Sequence, residues 1–110
     1  MNTERIVICA ANAYKQSYYF NPMLHRIPAA IQEELRTISI LFTQEVGGVF
    51  AIWCEPDGEI TIETRADDGD FYYDEIDSKL MVGKILQTRQ ELFTALQQFM
   101  MVPEFFDPSM

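Results

Sequence analysis

Near its start the chain reads RIVICAA, Arg5 to Ala11, β-branched and apolar at positions that would face both sides of a sheet. That pattern predicts a buried strand. ANAYKQSYYFNP follows, rich in Tyr and Asn and closing on the turn pair Asn21-Pro22; it reads as a loop holding a short second strand over Ser17 to Phe20. Then the period changes. In HRIPAAIQEELRTISILFTQEVGG, Ile31, Leu35, Ile38, Phe42 and Val46 recur at spacings of four, three, four and four, one face of an α-helix. Pro28 suits the first turn, where its missing N–H leaves no helical bond unmade, and Gly47-Gly48 can take the left-handed conformation that ends a helix. TISILFT alone would pass for a strand, but the helix-forming AAIQEEL before it and the sustained period decide for a helix.

VFAIWCEPDGEITIETR reads as a hairpin around the strong turn Glu55-Pro56-Asp57-Gly58. Ile60, Ile62 and Thr64 alternate with Glu59, Thr61, Glu63 and Arg65, a strand with one wet face. Val49 to Cys54 is apolar throughout and is expected deeper in the sheet, with Trp53 in the core. Downstream, Ile76, Leu80, Ile85, Leu92, Phe93, Leu96, Phe99 and Met100 fit one long amphipathic helix stopped by Pro103. Gly83 weakens its middle and could mark a close helix contact or a break. The expected fold class is α+β: a small antiparallel sheet, from the N-terminal strands plus the central hairpin, covered on one face by two helices. No repeat, low-complexity tract or linker divides the sequence, so residues 1–110 read as a single domain.

Composition sharpens this picture. A chain of 110 residues that is 48% hydrophobic and 13% aromatic can bury one core and is not a disordered one. Seventeen acids against eight Lys and Arg leave a net charge of −9. Such a chain repels phosphate backbones and anionic membrane surfaces, which disfavours nucleic acid and membrane as partners and leaves a basic protein or a cation. The acid excess also serves solubility. Glu4 and Arg5 stand where a signal peptide would carry net positive charge, the apolar run Ile6 to Ala11 is too short for its core, and no window approaches a membrane span, so a cytosolic protein is expected. Cys9 and Cys54 fall inside strand-like runs without metal or redox spacing and read as small buried hydrophobes.

The most conspicuous chemistry is ADDGDFYYDEID, Ala66 to Asp77, six carboxylates in twelve residues around Phe71, Tyr72 and Tyr73. It is not an EF-hand loop: counted from Asp68, the fifth and sixth positions are Tyr72 and Tyr73 and the twelfth is Lys79, a cation where the bidentate Glu belongs. Looser Mg²⁺ or Ca²⁺ binding through Asp68 and Asp70 stays open. The plainer reading is structural: Asp67-Asp68-Gly69 as a turn, Asp74 as a helix N-cap and Asp77 in the first turn, against the positive end of the helix dipole. A third reading is a docking surface for a basic partner formed by Asp70, Tyr72, Tyr73, Asp74 and Glu75.

Tyr14, Tyr18, Tyr19 and Phe20 form a second cluster, either the covering layer of the sheet or part of a recognition pocket or dimer seam. Phe105 and Phe106, in the tail after Pro103, are candidate dimer or partner anchors, and Met100-Met101 could complete the core or a subunit contact. His25, the single histidine, has Leu24, Arg26 and Ile27 as neighbours and reads as a surface residue at a helix entry. Ser17, Ser39 and Ser78 have no local base, and no phosphate loop, nucleophile elbow or zinc motif is present, so an enzyme is not expected and no cofactor is implied.

ICAANAYKQSYYFN, EELRTISILFTQEVGGV, DFYYDEID and KILQTRQELFTAL resemble a small family of proteins from anaerobic Gram-positive bacteria, with NAY…YYFN and LFT-x-E-V-G-G the most specific parts. The resemblance covers most of the chain and implies a complete, stand-alone cytosolic protein; it brings no activity and no site residues. The expected function is therefore that of a non-enzymatic acidic cytosolic binding or adaptor protein for another protein, itself a homodimer. The alternative is a small-molecule or divalent-metal binder, or an enzyme, built on the Tyr14–Phe20 aromatics with Asp68 and Asp70.

Overall fold

A computed structural model describes residues 4–101. Its strands are β1 (Ile6–Asn12), β2 (Ser17–Phe20), β3 (Val49–Cys54) and β4 (Ile60–Arg65); its helices are α1 (Ala29–Glu45), α2 (Glu75–Thr88) and α3 (Gln90–Met100), with a 3₁₀ turn at Pro22–Leu24. The strands form one antiparallel sheet in the order β2-β1-β3-β4. The fold is α+β, as expected, with three helices rather than two.

Register divides the sheet into two faces. Cys9 pairs with both Phe20 and Ile52, and Ile52 with Ile62, so these side chains share the face that meets the helices. A bulge between Val7 and Cys9 lets Ile8 and Cys9, adjacent in sequence, both become fully buried. From the helix side, Leu35, Ile38 and Phe42 of α1 enter this core, and the Phe42 and Phe50 rings lie 4.8 Å apart. Ser39 is buried with them, donating to the Leu35 carbonyl at 2.7 Å and lying 3.7 Å from the Cys9 sulfur. Both cysteines are buried free thiols.

The opposite face carries Val7, Ala10, Tyr19, Ala51, Trp53 and Glu63. Trp53 is therefore not in the helix-side core, because its register position points it the other way. It is half-buried beneath the Arg5 guanidinium, 3.9 Å from the ring centroid, and Arg5 is in turn held by Glu63 at 2.9 Å.

The expected long C-terminal helix is broken, and not at Gly83. Gly83 sits inside α2, where an added Cβ would meet nothing within 4 Å. The break is at Arg89, whose backbone (φ −120°, ψ 33°) leaves the helical region while its N–H caps α2 on the Ile85 carbonyl. Its guanidinium bonds Glu34 of α1 at 2.8 Å, which ties the α2–α3 corner to the first helix. Leu92, Leu96 and Met100 of α3 are buried at fourfold spacing and complete the core.

Candidate partner-binding surface

Between β4 and α2 the chain is shaped by its own acids. Gly69 takes φ +88° in a turn closed by the Asp70 N–H on the Asp67 carbonyl at 3.1 Å. One oxygen of Asp70 accepts from the Tyr72 N–H at 3.1 Å, and the other accepts from the Tyr14 hydroxyl at 2.6 Å. The Tyr14 oxygen itself accepts from the Asp67 N–H at 3.0 Å. Tyr14 is held in place by Asn12, whose side-chain oxygen takes the N–H groups of Tyr14 and Lys15 at 2.9 and 3.1 Å. One phenol thus latches the β1–β2 loop to the acidic loop, and the Asp70 carboxylate it serves pushes its pKa upward.

Tyr73 turns inward. Its hydroxyl donates to Ser78 at 2.8 Å, Ser78 lies 3.0 Å from the Thr64 hydroxyl, and its ring rests on Gly48. A Cβ on Gly48 would stand 2.5 Å from the Arg65 carbonyl and 2.7 Å from the Tyr73 ring, and φ there is +70°, so only glycine fits. Asp74 caps α2, accepting from Ile76 at 2.8 Å and from Asp77 at 3.3 Å.

What remains turned outward is apolar. Phe71 and Tyr72 are 93% and 97% exposed, and Ile76 and Leu80 on α2 are 70% and 67% exposed. The expectation that Ile76 and Leu80 line the buried stripe fails, because α2 is rotated so that Ser78, Met81, Val82 and Ile85 face the core. Ile76 and Leu80 lie on the far side of the same helix. Between α1 and α2 runs a groove of about 540 Å³, floored by Ile38, Val46, Met81 and Ile85, walled by Leu41 and Leu80, with Glu45, Asp77 and Lys84 at its rim.

Of the residues expected at a contact surface, Tyr72 and Glu75 are free on the outside, Asp74 is engaged in capping, Asp70 in the latch, and Tyr73 in packing. Phe71, Ile76, Leu80 and Leu41 join the surface from the structure alone. The tyrosine cluster divides: Tyr18 and Phe20 pack against the core, Tyr19 lies on the other sheet face, and Tyr14 serves the latch. Phe105 and Phe106 lie outside the described residues. Among the described residues, no group of three or more His, Cys, Asp or Glu stands close enough to hold a metal ion, and both oxygens of Asp70 already accept hydrogen bonds. His25 is exposed, 3.2 Å from the Pro22 carbonyl. No helix of the described residues is long and apolar enough to cross a membrane.

The model of a family of unknown function, DUF6145, matches residues 5–106. The chain belongs to DUF6145. That match spans every element from β1 to α3, so the acidic loop, the latch and the groove all lie within the DUF6145 region. No curated protein and no solved structure matches the chain.

Proposed function

We propose that this DUF6145 protein is a non-enzymatic cytosolic binding module that takes a basic, amphipathic helical segment of another protein along the groove between α1 and α2. The observation that carries the reading is the exposed apolar series Phe71, Tyr72, Ile76 and Leu80, running from just before α2 into its first turns, with Leu80 itself a wall of that groove, next to the acids of the α2 N-terminus. An amphipathic helix buries its apolar face in such a groove, and Glu45, Glu75 and Asp77 favour Lys and Arg on its flanks. Among the described residues the Ser78 hydroxyl bonds only to the hydroxyls of Thr64 and Tyr73, so no base there activates it as a nucleophile. The test is fluorescence anisotropy with a labelled Leu/Lys amphipathic helix. Binding that weakens about tenfold or more in Leu80→Glu, and that falls with salt, is expected. Leu80→Glu binding as tightly as the native protein would overturn the reading.

Self-association is a second reading, favoured by the sheet face that carries Tyr19, Ala51 and Trp53 and that no helix of the described residues covers. Sedimentation of the native protein beside Tyr19→Glu tests it: a dimer that dissociates in the variant is expected, and a native monomer removes it.

A further inference from the structure

On the other flank of α1, a recess of about 490 Å³ opens between the helix and the β1–β2 loop. Its size falls within the range of small-ligand sites. Its lining is unlike the rest of the surface. Although acids outnumber bases seventeen to eight in the chain, no carboxylate lines it. The donors are Arg36, the carboxamides of Asn12, Gln16 and Gln44, and the Ser17 hydroxyl; the Thr43 hydroxyl, also in the lining, donates to the Ile40 carbonyl at 2.9 Å.

Three details make this more than a hollow. Arg5, Arg65 and Arg89 each hold a carboxylate, whereas Arg36 has no ion-pair partner among the described residues; its guanidinium lies 5.9 Å from the Tyr18 ring centroid, and Glu33, one turn earlier on α1, does not pair with it. Because the Asn12 oxygen is taken by two backbone N–H groups, its amide orientation is fixed and its NH₂ is left as the free, donating end. Gln16 adopts φ +49°, the left-handed region that glycine occupies without penalty, so the turn retains a carboxamide at the mouth of the recess at a conformational cost. A planar guanidinium with amide donors and the Ser17 hydroxyl in one lining, and no carboxylate among the lining residues, matches the oxygens of a carboxylate or a phosphate.

We propose that this recess binds a small organic oxyanion, a carboxylate or phosphate of metabolite size, with Arg36 as the charged contact and Asn12, Gln16 and Gln44 as amide donors. It is separate from the α1–α2 groove and does not depend on the function proposed for that groove. The test is a titration of ¹⁵N-labelled protein with inorganic phosphate and, separately, with succinate, at ionic strength held constant with NaCl. Saturable shifts confined to the side-chain amides of Asn12, Gln16 and Gln44 and to the β1–β2 loop are expected, and whichever probe saturates first names the head group. Arg36→Gln, a change at an exposed position, should weaken that binding about tenfold or more. Gln16→Gly should raise the unfolding midpoint while it weakens binding. The absence of saturable shifts from both probes overturns the site. So do equal shifts from NaCl alone, or both variants titrating as the native protein does.

Discussion

α1 and α2 show how differently two helices with similar apolar content can be used. On α1 the residues Leu35, Ile38 and Phe42 fall on one stripe, and all three are buried on the sheet. On α2 the apolar residues occupy two stripes: Met81, Val82 and Ile85 go inward with Ser78, while Ile76 and Leu80 go outward. The inward stripe of α2 is the poorer one, since its first member is a serine, and the helix is held by polar contacts that α1 does not need. These are the Asp74 cap, the Tyr73–Ser78–Thr64 hydroxyl chain and the Arg89–Glu34 bridge. α1 serves stability. The surplus apolar surface of α2 has no structural use within the described residues, which is why it carries the proposed function.

The sharpest way to break this comparison is to delete one side chain from each helix. Phe42→Ala opens a cavity against Phe50 and should cost about 3–5 kcal/mol of unfolding free energy in a urea titration. Next in size is an alkaline loss on the α1 side of the core. Burial pushes the Cys9 thiol from 9.0 up to about 11, with Ser39 and Tyr18 only partly opposing it. A folded-state pKa raised in this way favours the protonated thiol, so its contribution is complete below about pH 9 and is lost as pH rises through 11. Stability should fall by about 2–3 kcal/mol across that window, and Cys9→Ala, though less stable overall, should fall by less. Tyr14 and Tyr18, whose pKa values are also raised, act in the same direction at higher pH.

Asp74→Ala removes the α2 cap and should cost about 0.5–2 kcal/mol, read in the same titration. Unchanged stability would mean that α2 does not depend on its polar ties. The smallest expected effect is that of Leu80→Glu, within about 0.5 kcal/mol, because the side chain already faces water. A large loss there would place Leu80 in the core and erase the contrast between the two helices.

The sheet and α1 were legible in the sequence because alternation and a single apolar stripe each leave one arrangement. Ser17 to Phe20, the Glu55–Gly58 turn and the Asp74 cap all stand where turn and cap chemistry put them. α2 was not legible, since Ile76–Leu80 and Val82–Ile85 offer two apolar faces and only tertiary packing chooses between them. The break at Arg89 left one local sign: the polar run Gln87 to Glu91, where a continuous stripe would have placed an apolar residue at 88 or 89. The latch joins Tyr14 to a carboxylate 56 positions away, and no pattern within a segment encodes such a pair. The recess at Arg36 was likewise invisible, because it depends on which acids are absent in space.

Trp53 is the single tryptophan, and it sits on the sheet face turned away from both the groove and the recess. Its indole N–H is buried without a hydrogen-bond partner, and the Arg5 guanidinium lies over its ring. A chromophore in that setting gains water and loses its stacked cation only when the sheet itself comes apart. Its emission should therefore mark loss of the fold as a whole and stay silent while a helix or an anion docks on the opposite side. The molecule carries its own internal control, by which occupancy and unfolding can be told apart in one cuvette.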